Sequence, residues 1–372
     1  MLGGIFMLVA VVASVMIHES GHYFMARATG MKATEFFFGF GPKLWSTTRG
    51  ETEYGIKAFP LGGYVRIAGM NPLEEIDPAD VGRTYREKKF WQKSVVILAG
   101  VALHFIIAYV VILGAIIGFG IDNPDAPLAE IAVVQQFLED GSATPASVAG
   151  LEPGDTIVAV GGLAVGGWEE IRVALADLPD AAVTITVNRD GDQLAFPITL
   201  SSIADPETGA RVGYLGVSPA FERQSVGFFT ATSLAGRAFV NITGRTFEAL
   251  GNLVKPSSLA QLGGAFFGKT DIPNEIRPVS PVGIVRLGAE SDFELMVSLV
   301  AMVNIVLGIF NGLPLYPLDG GHFAVAAYER ITHRKADVRK LAPIAAVVMA
   351  LVLFLFSVAL LLDIVNPISL NG

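Results

Sequence analysis

The sequence predicts a polytopic α-helical membrane protein of about four transmembrane helices carrying one soluble domain outside the cytoplasm. Three observations lead there. Of 372 residues, 52% are hydrophobic and only 16% charged, with mean hydropathy +0.54; ordinary soluble domains carry about 25% charged residues. Four apolar segments reach the roughly 20 residues that a helix needs to cross a bilayer. They lie near Leu2–Ala28, Val95–Phe119, Phe293–Leu318 and Leu341–Leu362. The basic residues, finally, are gathered on alternate connections between those segments.

The first segment runs uncharged from Leu2 to Ile17, and the first basic residue of the chain is Arg27. A secretory signal would carry a basic start and a small-residue cleavage site, so a spanning helix is the better reading. Lys32, Lys43, Arg83, Arg86, Lys88, Lys89 and Lys93 follow before or at the start of the second segment. Arg330, Arg334, Lys335, Arg339 and Lys340 crowd the short link before the fourth, whereas residues 120–134 and the tail after Leu362 have none. Positive charge favours the cytoplasmic side. Both termini and the stretch 120–292 are therefore expected outside.

Within that stretch, "GLEPGDTIVAVGG" (150–162) is a turn, a short strand and another turn. "WEEIRVALADL" places Ile171, Leu175 and Leu178 on one helical face. "AVTITVNRDGDQLAFPITL" alternates at period two around a hairpin signature. The order of these elements resembles a PDZ domain of the bacterial, protease-associated type over about 127–219. Such domains take peptides by β-augmentation; a size filter that binds no peptide is the alternative role. Residues 226–254 then carry apolar positions at helical spacing, as expected of an amphipathic helix on the outer membrane surface or of a packed helix. The absence of cysteine excludes disulfides and thiolate ligands, and a net charge of -9 with no basic face argues against a nucleic-acid partner.

The chemistry sits in "MIHESGH" (16–22). His18, Glu19 and His22 form H-E-x-x-H, which on a helix turns both imidazoles to one face. Glu19 is then placed to act on a water beside a metal rather than as a ligand. Two core histidines would be the plainer reading, but it leaves Glu19 unexplained, and a carboxylate inside a membrane is costly unless paired or functional. Zinc suits imidazole and carboxylate ligands with one open position, so a third ligand is required. Asp319, His322, His104 and His333 are the candidates. Asp319 stands out, because "NGLPLYPLDGGH" puts an acid at the cytoplasmic end of the third segment, matching the depth of His22. Pro314 and Pro317 break the helix there. Such irregular backbone is tolerated at membrane depth only where protein or a water cavity covers it.

H-E-x-x-H in the first span, N-x-x-P-x-x-P-L-D-G (311–320) in the third and a PDZ-like insert between them resemble the site-2 protease family of intramembrane zinc metalloproteases, in its RseP-like bacterial branch with a single PDZ domain. The resemblance spans essentially the whole chain. "FFFGFGPKL" (36–44) and "GIKAFPLGGYVRIAGM" (55–70) are similar to segments that form a membrane-associated β element in that branch and help present substrate. "SPVGIVRLGAES" (280–291) also resembles a segment of that family. The implied organisation is a first half of the membrane core over 1–120, the PDZ domain at 127–219, an amphipathic connector at 220–292 and the second half at 293–372. The resemblance implies Zn2+ held by His18, His22 and Asp319, Glu19 as general base, and Asn304 and Asn311 on the substrate backbone. It implies regulated intramembrane proteolysis in a bacterial cell (inner) membrane. Substrates there are single-span membrane proteins such as anti-sigma factors, or leftover signal peptides.

One departure stands in the second span. The family often has G-P-x-x-N where this chain reads "GVALH" (100–104), so Val101 replaces the proline and His104 the asparagine. His104 is expected to make a polar contact in the core rather than serve as an alternative ligand. Two other classes remain to be weighed: a multi-span metal transporter, and a catalytically silent PDZ-bearing membrane scaffold.

Overall fold

A computed structural model describes residues 2–71, 74–138, 141–204, 209–270, 272–273 and 276–368. The chain divides into two compact units, Met1–Gly118 with Gly227–Asn371, and Phe119–Val226.

The first unit opens with helix α1 (Leu2–Ala28), followed by strands β1 (Ala33–Arg49) and β2 (Thr52–Ile67) and by helix α2 (Phe90–Phe119). Nothing in α1 interrupts the helix, and Arg27 in its last turn complements the negative end of the helix dipole. The two strands are long and bent. Glu35–Phe38 pairs on one side with Gly63–Arg66 and on the other with Glu53–Ile56, and Lys43–Arg49 then pairs with Thr52–Lys57. The result is a small sheet of four segments made from one hairpin. Its Gly63 passes close to α1: a Cβ there would lie 2.7 Å from Met16 Sδ and 3.6 Å from Glu19 Cγ. Ala26, Met31, Ile67, Tyr85, Val96 and Ile97 bury together and join the end of α1, the sheet and the start of α2.

The second unit is a β domain. It comprises β3 (Ile121–Val134), α3 (Pro145–Ala149), β4 (Thr156–Val160), β5 (Leu163–Ala164), α4 (Trp168–Ala176), β6 (Ala182–Arg189), β7 (Asp192–Thr199), β8 (Ser201–Ala204), β9 (Arg211–Tyr214) and β10 (Val217–Gln224). The main sheet is antiparallel in the order β10-β3-β4-β6-β7, with β5 beside β4, while β8 pairs with β9. As the sequence pattern predicts, β6 and β7 form a hairpin around Asp190 and Gly191, both at positive φ. Helix α4 buries Ile171 and Leu175 against Ile131, Ile157, Ile185 and Val187. At the domain's edge, the Asp155 carboxylate accepts two bonds from Arg189, at 2.6 and 2.8 Å. Burial pushes this carboxyl up, but Arg189 and the Glu152 N–H outweigh it and hold Asp155 below the usual range.

The chain then returns to the first unit through α5 (Phe228–Leu253), α6 (Pro256–Gly264), α7 (Pro281–Glu290), α8 (Phe293–Gly312), α9 (Asp319–Thr332) and α10 (Val338–Val365). Together α1, α2, α8 and α10 are long and apolar enough to cross a membrane, so the molecule is a helical membrane protein with a β domain. Helix α5 packs against two of those helices. Its Ala235 buries with Ala108 and Ile112 of α2 and with Ala301, Ile305 and Ile309 of α8. Phe239 meets Phe105 edge-on at 5.9 Å, and the Tyr109 hydroxyl donates to the Thr232 carbonyl at 3.3 Å. Small residues at Ala231 and Ala235 let the backbones approach, as at helix contacts within membranes.

Helix α8 starts where the Asp292 carboxylate accepts from Leu295 N at 2.7 Å and ends before Pro314. Leu313 is extended (φ -61°, ψ 137°), the conformation forced on a residue preceding proline. The chain then folds back on itself. A Cβ at Gly320 would strike the carbonyls of Gly312 and Leu313, and one at Gly321 the backbone of Leu315 and Tyr316. Only glycine permits α9 to start so close beneath the end of α8.

Candidate metal centre

Helix α1 brings His18 and His22 together by its period alone. Their rings lie 4.7 Å apart at 84°, with Nε2 atoms 3.0 Å apart. Asp319, first residue of α9, places Oδ2 3.2 Å from each Nε2. The histidines are buried, and the Asp319 side chain is 17% exposed. Among the described residues these three form the one group of histidines or acids able to hold a metal ion.

The donor set fits zinc. His22 Nδ1 donates to the Val96 carbonyl of α2 at 2.8 Å, which turns the Nε2 lone pair inward, the arrangement usual for a ligating histidine. Asp319 Oδ2 is buried without a hydrogen-bond partner despite its two close nitrogens. Acceptor atoms thus converge where a cation would satisfy them; their edges of 3.0–3.2 Å are a few tenths of an ångström shorter than the roughly 3.3–3.6 Å edges of a tetrahedral shell with bonds of about 2.0–2.2 Å, so a small outward spread of the three groups admits the ion. The α2 backbone forms the floor. A Cβ at Gly100 would lie 2.5 Å from His22 Nε2 and 2.7 Å from His18 Cε1, so the imidazoles rest on a glycine.

Glu19 stands outside the ligand triangle. Its side chain runs beside Gly63 of β2, where a Cβ would lie 3.6 Å from Glu19 Cγ. The strand edge and the acid therefore adjoin.

The remaining sequence candidates separate clearly. His104 is 1% exposed and does not join the group; its ring lies against His18 at 4.7 Å and its Nδ1 is 3.0 Å from Asn304 Oδ1. Asn304 is fully buried, and its amide donates to Ser14 Oγ and to the Val300 carbonyl. Asn311, in the last turn of α8, is half-buried. His322 lies one turn along α9 with its ring 4.9 Å from Tyr316. His333 is exposed at the far end of that helix.

Sequence reasoning missed two parts of the centre. Val96 acts through its carbonyl, which every residue possesses, so no sequence signal could have marked it. Gly100 does leave a signal, a glycine opening "GVALH" in an apolar helix, but its meaning depends on which helix lies opposite.

Known proteins can now be set beside this geometry. The chain matches peptidase family M50 over residues 6–356. It is similar to zinc metalloprotease Rip1 of Mycobacterium tuberculosis, 35% identical over 97% of this chain and 96% of that protein. It is also 36% identical to zinc metalloprotease Rip1 of Mycolicibacterium smegmatis over 99% of this chain and 98% of that one. Zinc metalloprotease RasP of Shouchella clausii is 26% identical, over 92% and 94%. An apolar helix bearing two histidines, an acid brought to them by a broken backbone and relatives matched along nearly their full length agree: the chain belongs to peptidase family M50, the site-2 protease family, and is an intramembrane zinc metalloendopeptidase.

Proposed function

We propose that His18, His22 and Asp319 hold the zinc ion, and that Glu19 is the general base. The observation that carries this is the convergence of three acceptor atoms on one point, with a fourth ionisable group beside them and outside the shell. When bound, zinc supplies Lewis acidity towards the scissile carbonyl and towards water. Glu19 takes the proton of the attacking water as its oxygen bonds to the carbonyl carbon. It then delivers that proton to the amide nitrogen as the C–N bond breaks.

The substrates on this reading are single-span membrane proteins of the anti-sigma-factor kind, or signal-peptide remnants, cut near the cytoplasmic side of a bacterial cell membrane. A spanning helix must unwind before it is cut, and its freed amides need partners. Asn311, half-buried at the end of α8, is suited to that task. Asn304 is fully buried and already bonded, which favours a bracing role unless substrate displaces its partners. The sheet of β1 and β2 helps present the substrate, since its edge passes Glu19. The β domain acts as a PDZ domain outside the cytoplasm, filtering substrates or taking a peptide. Both termini lie on that side, as the basic residues at 330–340 and within 83–93 support.

The test compares purified wild type with Glu19→Gln for bound zinc and for cleavage of a model single-span substrate. Zinc retained and cleavage abolished is the expected result. Equal cleavage by both proteins would overturn the assignment. Metal flux across liposomes would point to a transporter, and zinc-loaded wild type without cleavage to a silent scaffold.

A further inference from the structure

The two imidazoles of the centre are held in different ways. His22 is fixed by the bond from Nδ1 to the Val96 carbonyl. His18 has no such bond, because its Nδ1 is buried and without a hydrogen-bond partner. What His18 has instead is a ring against its face. The His104 centroid lies 4.7 Å away, with the planes inclined by 33°.

That second ring is itself locked. The Val300 carbonyl can only accept, so the Asn304 atom 2.8 Å from it is the amide nitrogen, which also donates to Ser14 Oγ at 3.0 Å. The Asn304 oxygen must then face His104, and His104 Nδ1 carries the proton that bridges the 3.0 Å between them. Ser14 stands four residues before His18 on α1, so the chain of contacts returns to the helix that carries the ring it supports. Ser14, His18, His104 and Asn304 are each at most 5% exposed.

We propose that His104 is a positioning residue for His18, setting its ring plane by stacking as the Val96 carbonyl sets that of His22 by hydrogen bonding, with Asn304 and Ser14 fixing His104 in turn. The inference rests on the reading of His18 as a zinc ligand. Against it stands a purely structural role, in which His104 only ties α2 to α8 through Asn304.

Two substitutions split the ring from the hydrogen bond. His104→Phe keeps the ring and loses the bond; His104→Asn keeps a donor for Asn304 and loses the ring. Full-length protein in detergent is titrated with zinc against a competing chelator, and the absorption spectrum of the cobalt-loaded protein is recorded. His104→Phe keeps the stack and loses only the bond that fixes it, so it should weaken zinc by about twofold, whereas His104→Asn should weaken zinc about 3–10-fold, the range expected for one aromatic pair, and should shift the cobalt spectrum. The reverse order, or wild-type affinity in His104→Asn, overturns the proposal. His104→Tyr serves as the ring-bearing variant should thermal unfolding show that His104→Phe does not fold. His18→Ala separates the two readings. If it binds zinc like wild type, the ligand assignment itself is wrong; if it loses zinc while His104→Asn does not, only the positioning role falls.

Discussion

The two sides of the metal centre are built by opposite means. On one side, an unbroken helix supplies His18, Glu19 and His22 within five consecutive residues of α1. On the other, a single acid arrives only after α8 has stopped, two prolines have broken the chain and two glycines have let α9 tuck under it. The helical side brings its two rings together by the 3.6-residue period, and α2 then holds them through the Val96 carbonyl, the His104 ring and the Gly100 floor. The broken side obtains its geometry from close backbone contact, and every residue of the turn matters. In this bundle the carboxylate that closes the shell stands on the first residue of α9, 3.2 Å from each imidazole, so the irregular side completes what the helical side begins.

The largest effect should come from the one residue of the helical side that lies outside the shell. Glu19→Gln should lower kcat by about 10²–10⁴-fold, the contribution usual for a positioned general base, with zinc content unchanged by atomic absorption. Loss of zinc together with activity would move Glu19 into the shell and blur the division between ligands and base.

The next pair tests the two supports directly. Gly320→Ala drives a methyl into the carbonyls of Gly312 and Leu313, which are backbone and cannot swing away. Gly100→Ala drives one into the two imidazoles, 2.5 Å from His22 Nε2, and side chains can tilt. Overpacking costs about 1–3 kcal/mol, and Gly320→Ala should fall at the upper end with Gly100→Ala below it, read as zinc affinity by chelator competition. Equal losses would mean that the α1 side is as rigidly framed as the α9 side.

How far the sequence disclosed this centre follows the same division. H-E-x-x-H is legible because adjacency on a helix is adjacency in sequence. Asp319 became a candidate only through its depth in the third span and its broken surroundings, and its pairing with the motif came from family resemblance. The Val96 carbonyl was illegible, since it acts through backbone that every residue carries, and Gly100 was visible as a glycine without showing which helix it would face. Four spans and the β6–β7 hairpin could be read from length and period. The partner of α5 could not, because an apolar stripe says that something covers it without saying what. Likewise, "GVALH" showed that His104 was unusual, but not that its ring would meet His18.

Asn304 and Asn311 sharpen the comparison at smaller amplitude. They lie seven residues apart on α8, one buried and bonded at mid-helix and one half-buried where the helix breaks. Asn311→Leu should raise KM about 3–10-fold, the worth of one hydrogen bond of about 1 kcal/mol or a little more, with thermal stability unchanged. Asn304→Leu should instead lower the unfolding temperature, because it strands the buried His104 Nδ1 and leaves Ser14 Oγ with only its bond to the Ala10 carbonyl. A raised KM in both, without loss of stability, would place both asparagines on the substrate.

The smallest effect should lie at the far end of α9, where Glu329 reaches Lys93 of α2 at 3.3 Å and accepts from Ala336 N at 3.2 Å. Phe323 of α9 also meets Phe90 at 5.9 Å. These contacts hold the helix that begins with Asp319, yet they act from its opposite end. The two partners differ in how readily water can replace the lost contact. Lys93 is 11% exposed beneath the Tyr85 ring, whereas Glu329 is 29% exposed. Lys93→Met therefore leaves an acid that water can rehydrate, but Glu329→Gln leaves a cation with little solvent. A pair of this intermediate burial is worth about 1–2 kcal/mol, so Glu329→Gln should speed amide exchange across 319–332 and loosen zinc by a few fold, with Lys93→Met milder on both counts. If neither variant changes zinc affinity while exchange rises, the turn at Gly320 and Gly321 alone holds Asp319, and the broken side of the centre is framed entirely by backbone.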